Sequence, residues 1–300
     1  MSGRRGLSDQ TPTALLMAAP ALLGLLLFLL LPFVLALAFA FTNLRLGSPL
    51  PLEFVGFKQF LRIFSDPGFL QALANNLLFA AVVVPLQTAL ALGLALLLDQ
   101  GLRGTLVYRT VFFMPVVFPM SLVAVIWLLI YAPGPAGMMN QLLDLLSLGH
   151  WQPRDFLRDP ALALPAIMLL SIWQGAGFQM VILLAGLQAI PLELHEAAAL
   201  DGAGRWQRFL HVTLPQLRNP LIFVMLVTTI LAFRLFDQVQ IMTRGGPDNA
   251  TTTMMFEMVQ AVFTRQQVAR ASAMTVIFFL LVLLVTLVQR RLARQEGYRP

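Results

Sequence analysis

The side chains of this sequence offer binding chemistry and little else. There is no cysteine, which removes disulfides, thiolate metal sites and cysteine nucleophiles. The three histidines, His150, His195 and His211, stand far apart and form no ligand pattern. Lys58 is the only lysine and lies outside any glycine-rich turn. Without a Gly-x-x-x-x-Gly-Lys-Ser/Thr loop, the chain has no phosphate cradle of its own. Two groups of polar residues remain. One is a contiguous stretch running from Pro191 through Glu196-Ala197-Ala198 and Asp201-Gly202 to Leu214-Pro215. The other is scattered through long apolar runs: Gln87 and Thr88, Ser121, Trp173 and Gln174, Thr228 and Thr229. Amides, hydroxyls and an aromatic face suit hydrogen bonding and stacking against a polyhydroxylated ligand. Within a membrane such groups cost energy unless they face a bundle interior or a wet cavity, which makes them candidates for a pathway. Stitching helices together is the other use for each of them. Arg234 and Asp237, three residues apart, read as a buried ion pair rather than as a substrate contact.

The elements that must position these groups are transmembrane helices. Of the 300 residues, 58% are hydrophobic and 11% charged, against about 25% charged in soluble domains. A deficit spread along the whole chain specifies an all-α, polytopic membrane protein. Six spans are expected, at about residues 14–41, 77–98, 111–131, 161–187, 220–242 and 271–288. The first is about twice the 7–15-residue apolar core of a signal peptide, so it reads as a retained span. Pro115 and Pro119 should kink the third. Short amphipathic or semi-polar helices are expected at 57–64 and 251–268. A polar tail, residues 1–13, precedes the spans, and a basic tail, residues 290–300, follows them.

The polar stretch at 190–218 reads as a helical hairpin. Pro191 suits a first helical turn, where no amide donor is needed. Glu193 and Glu196 complement the dipole at that end, and Leu192 to Leu200 favour a helix throughout. Gly202 and Gly204 permit a tight turn with positive φ. Trp206, Phe209, Leu210 and Val212 give a second helix an apolar face, and Pro215 is expected to end it. Three consecutive alanines leave a low surface against which a partner can pack closely, although a plain surface hairpin would use alanine as well.

Six spans place both termini and the hairpin on one side. Arg4, Arg5, Arg103, Arg109, Arg205, Arg208, Arg218, Arg290, Arg291, Arg294 and Arg299 lie on that side in short turns and tails, against Arg45, Lys58, Arg62, Arg154, Arg158, Arg244, Arg265 and Arg270 opposite, most of them in longer loops; the total bias is modest. The side rich in charge close to span ends is the cytoplasmic one. The net charge of +6 is thereby assigned to orientation and lipid headgroups, not to nucleic acid.

Glu196-Ala197-Ala198, Asp201-Gly202-Ala203 and Leu214-Pro215 resemble the cytoplasmic coupling loop, the EAA motif, of binding-protein-dependent ABC importers. The resemblance extends over most of the chain. It includes Phe54-Val55-Gly56-Phe57 with Phe60, Asn75-Asn76, Ile172-Trp173-Gln174 with Gly177-Phe178, and Ala185 to Pro191. Phe233 to Asp237 followed by Met242 to Pro247 completes it. It is closest to permeases of the maltose and glycerol-phosphate type, on the first-subunit side of the usual pair. His195, where an aromatic is frequent, and Val268 to Ala273 depart from the pattern. The resemblance implies a permease in the cell inner membrane with both termini cytoplasmic. It also implies a second homologous permease, ATP-binding subunits that carry ATP and magnesium, and an extracytoplasmic solute-binding protein. Glu196 would pair with a basic residue of the ATPase, Ala197 and Ala198 would form the close contact, and Gly202 would make the bend. No cofactor is expected on this chain, and no catalytic residue. The cargo implied is a carbohydrate or polyol derivative, with another small solute as the alternative. An ion-gradient-driven transporter would show intramembrane carboxylates, and only Asp237, beside Arg234, qualifies.

Overall fold

The computed structural model describes residues 11–101 and 104–295. Most of the N-terminal tail, with Arg4 and Arg5, lies outside the described residues, as do Arg103 and the last five residues. By internal packing the chain divides into two compact units, residues 1–65 with 258–279 and residues 66–257 with 280–300.

In the first unit, α1 (Thr11–Leu25), a π-helical turn (Leu26–Leu30) and α2 (Leu31–Phe39) form one continuous apolar rod. Pro32 lies just beyond the π turn. A proline ring clashes with the carbonyl four residues back, and a locally widened turn relieves that clash. The amphipathic α3 (Lys58–Phe64) forms as expected. Phe41 packs against Phe54, Phe57 and Phe60 at centroid distances of 6.2, 5.4 and 5.4 Å.

The second unit begins with α4 (Pro67–Asp99). It starts ten residues before the expected second span, because Asp66 caps it by accepting a hydrogen bond from the Gly68 amide at 2.9 Å. The third span is not a kinked rod. α5 (Thr105–Val117) and α6 (Met120–Ile130) meet at 99°. The break falls at Phe118-Pro119, where the backbone is extended. Proline disfavours a helical conformation in the residue before it, so Pro119 breaks the span, whereas Pro115 lies within α5. The loop that follows contains α7 (Met138–Leu146). α8 (Ala163–Gln188) is the fourth span.

The hairpin comprises α9 (Leu192–Leu200), α10 (Arg205–Arg208), a π turn (Phe209–Thr213) and α11 (Leu214–Gln216). Pro215 therefore sits inside helix rather than ending it, again just past a π turn. The fifth span is broken: α12 (Arg218–Phe233) stops at Arg234, and α13 (Asp237–Met242) resumes after it. α14 (Met254–Val259) leads through a third π turn (Gln260–Thr264) to α15 (Val268–Gln295). The sixth span thus continues in helix through Arg290 and Arg291, which were expected in the tail. Among the described residues five helical segments are long and apolar enough to cross a membrane, and the α5–α6 pair makes a sixth if it is one broken span.

Candidate functional site: a coupling hairpin and a polar cavity

The hairpin turn is built by its glycines. Gly202 has φ of +80°. Its amide donates to the Ala199 carbonyl at 3.1 Å, and the Ala203 amide donates to that of Ala198 at 2.9 Å. This is a Schellman closure of α9, which needs a left-handed residue where Gly202 stands. Gly204 does not share that conformation. At φ −66° and ψ 169° it is extended and serves as the N-cap of α10, with its amide donating to Gln207 Oε1 at 2.7 Å.

Nothing in α9 is buried. Glu196, Ala197, Asp201 and Pro215 are exposed, and Ala198 and Leu214 partly so. Leu200 is 90% exposed and Trp206 69%. Between the two arms lies a notch of about 280 Å³, lined by Ala198, Asp201, Gly202, Gln207, Arg208 and His211 among others. The base of the hairpin is the opposite case. A Cβ on Gly186 would press on Pro220 and Leu217, so the end of α8 and the start of α12 touch there. Ala91, Ala95 and Leu98 of α4 close the same core with Leu183, Leu187, Leu217 and Val224. An exposed tip on a clamped base is the shape of a lever.

A cavity of about 360 Å³, lined by apolar as well as polar side chains, lies within the second unit. Its lining comes from α4 (Phe79, Val83, Gln87), the α5–α6 pair (Val116, Met120), α8 (Ser171, Gln174, Gly175) and α12–α13 (Thr228, Arg234, Asp237, Gln238). The break in the fifth span creates the charged wall. A broken helix strands carbonyls, and in a bilayer each must find a donor. Asn76 Nδ2 donates to the Phe233 carbonyl at 3.2 Å, and Thr253 Oγ1 donates to that of Leu235 at 2.8 Å. Asn76 Oδ1 meanwhile accepts from the Met254 amide at 2.7 Å. Asn75 Nδ2 donates to the carbonyls of Asn249 and Thr252 at 3.1 and 2.9 Å. The Asn75-Asn76 pair is thus the staple that holds the break and the following loop to α4.

The break also overturns one expectation. Arg234 and Asp237 are exposed, line the cavity and form no ion pair among the described residues. Their expected pairing relied on a continuous helix, and the helix stops between them.

Of the scattered pathway candidates, the structure brings Gln87, Gln174 and Thr228 together at the cavity. It does not bring Ser121, Trp173 or Thr229 there. Ser121 is an exposed residue just past the α5–α6 break. Trp173 packs on Trp127, with centroids 5.6 Å apart. Thr229 faces α15, accepting from Gln289 Nε2 at 2.8 Å. Ser171, Arg234, Asp237 and Gln238 belong to the wall instead. Ser171 stands three residues before Gln174, one helical turn away, which was a usable signal. The charges were hidden by the assumption of a continuous fifth span.

Three comparisons bear on this architecture. Residues 87–296 match the family of binding-protein-dependent transport system inner membrane components. The chain belongs to that family. It is 34% identical over 280 residues to a probable ABC transporter permease protein of Pyrococcus horikoshii, covering 93% of this chain and 95% of that one. It is 36% identical over 285 residues to the diacetylchitobiose uptake permease NgcF of Streptomyces coelicolor, covering 90% and 80%. Its fold superposes with a TM-score of 0.81, at 21% identity, on a chain of a bacterial alginate ABC transporter solved with an alginate pentasaccharide-bound periplasmic protein, covering 97% and 98%. The chain is accordingly an inner-membrane transport component, and its family is one of transport components rather than enzymes.

Proposed function

We propose that this chain forms the translocation path for a carbohydrate or polyol derivative and is driven by ATP hydrolysed on a separate subunit. The observation that carries the substrate class is the cavity. Gln87, Gln174, Gln238, Ser171 and Thr228, from four helices, bring amides and hydroxyls to one cavity of about 360 Å³, a volume in the range of small-molecule sites. The uptake of diacetylchitobiose by one relative and of alginate by the structural neighbour supports the same class.

Energy enters through the hairpin. Glu196 and Asp201 present carboxylates, Ala197 and Ala198 a low contact surface, and Gly202 the bend. Leu214 and Pro215 carry the second arm back to the spans. In this reading the hairpin and both termini are cytoplasmic. The ATPases carry ATP and magnesium, a second homologous permease completes the path, and a solute-binding protein delivers cargo from outside. Closure of the ATPases moves the hairpin tip, and the Gly186–Pro220 clamp passes that motion to α8, α12 and α4.

The test is uptake by the reconstituted transporter with its binding protein, using labelled diacetylchitobiose and labelled proline as probes. Saturable, ATP-dependent uptake of the disaccharide and none of proline is expected. Uptake that persists without ATP but collapses with the proton gradient would overturn the proposal.

A further inference from the structure

A second, smaller cavity of about 60 Å³ lies beside the large one. The two share Gln87, Val116, Gln174, Gly175, Thr228 and Leu231. The residues they do not share order them along the helices. The large chamber takes Arg234, Asp237 and Gln238, past the end of α12 that is remote from the hairpin. The small chamber takes Phe178 and Gln179 further along α8, and Val224 and Val227 nearer the start of α12. Both shifts run towards the hairpin. The shared residues therefore form a waist between a roomy outer chamber and an inner one well below the 300 Å³ at which ligand pockets begin.

Two observations single out one side chain at that waist. Gln87 lies flat on Gly175, and a Cβ there would overlap its carboxamide at Nε2, Cδ and Oε1. Gln87 as a residue is 7% exposed, no hydrogen bond joins its carboxamide to any described residue, and its amide atoms are not among the fully buried ones, so they face open space in the cavities. The neighbouring Gln179 is tethered, its Nε2 donating to Thr228 Oγ1, although its Oε1 is buried without a partner among the described residues. Gln87 has donors and acceptor facing the cavities and no structural bond to hold it in place.

We propose that Gln87 is the partition between the two chambers and a specificity-determining contact. A ligand carrying hydroxyl groups exchanges hydrogen bonds with its carboxamide and swings it aside, whereas an apolar solute gains nothing from displacing it. Gly175 is the positioning residue, because only a residue without a Cβ leaves the carboxamide room to lie across the waist. This rests on the reading of the cavity as the translocation path.

The chain has no cysteine, so one introduced thiol reports one position. In the assembled transporter in sealed vesicles, a membrane-impermeant sulfonated maleimide is applied from the face opposite the hairpin. Met120→Cys reports the outer chamber and Val227→Cys the inner one. With Gln87 and Gly175 intact, Met120→Cys should label and Val227→Cys should not. Adding Gln87→Ala or Gly175→Ala should make Val227→Cys label severalfold faster and leave Met120→Cys unchanged, a difference that mere destabilisation would not produce. Unchanged labelling of Val227→Cys in both variants, with Met120→Cys still labelled, overturns the partition alone. Failure of Met120→Cys to label in any background means that the chamber is not aqueous, which overturns the pathway reading as well.

Discussion

The hairpin and the cavity are built by opposite means. The hairpin is contiguous in sequence, solvent-exposed and closed by local rules: a left-handed Gly202, an N-cap at Gly204 and helix-favouring alanines. The cavity draws single residues from α4, the α5–α6 pair, α8 and α12–α13. Its charged wall exists only because a helix breaks and Asn76 and Thr253 satisfy the carbonyls left behind. On the proposed function, the surface that meets a separate subunit is written as one segment, and the surface that encloses the cargo is a tertiary arrangement whose parts are far apart in the chain.

The largest effect expected from this contrast is at Gly202. Gly202→Asp places a side chain at φ +80°, which costs about 1–2 kcal/mol for an L-residue and distorts the turn. Nothing lies within 4 Å of the added Cβ, so the chain should insert normally while ATP-driven uptake falls to background. Membrane-fraction immunoblots and uptake assays on the same vesicles check both halves, and normal uptake would break the comparison.

The staple should show a purely structural effect. Asn76→Ala removes the side-chain hydrogen bonds to the Phe233 carbonyl and the Met254 amide, at about 1–3 kcal/mol for a buried bond lost. The thermal midpoint of the purified transporter should fall, and the hairpin's grip on the ATPase should not change. Loss of the ATPase from this variant would mean that the two regions are not separable.

Thr229 sharpens the contrast at the small end. It was a pathway candidate by residue type and span position, yet it serves as a helix tie to Gln289. Interhelical hydrogen bonds in membranes average about 0.6 kcal/mol. Thr229→Val should therefore lower thermal stability slightly and leave the KM for transport unchanged; a raised KM would return it to the pathway.

How much was legible follows from the same difference. Apolar run lengths located the spans, and the polar hairpin stood out between two of them. Propensity and proline placement put α9 within a residue or two. The errors came where proline and asparagine act through tertiary structure. Pro119 turns a span by 99°, while Pro215 is absorbed by a π turn. Asn76 lets the fifth span break at Arg234, a partner 157 positions away from the carbonyl it serves. No local pattern separates Thr228, which lines the cavity, from Thr229, which does not. Adjacent helical residues point about 100° apart, and only packing decides which faces the ligand.

On the proposed function, ATP hydrolysis is coupled to this chain at the hairpin. The most direct measurement is co-purification of the ATPase with an affinity-tagged, full-length permease carrying Glu196→Arg. Glu196 is exposed on α9, so the variant should insert and keep its thermal stability. The account predicts that the ATPase is lost from the purified complex and that ATP-driven uptake is lost with it. An ATPase retained at wild-type yield, with uptake intact, would contradict it.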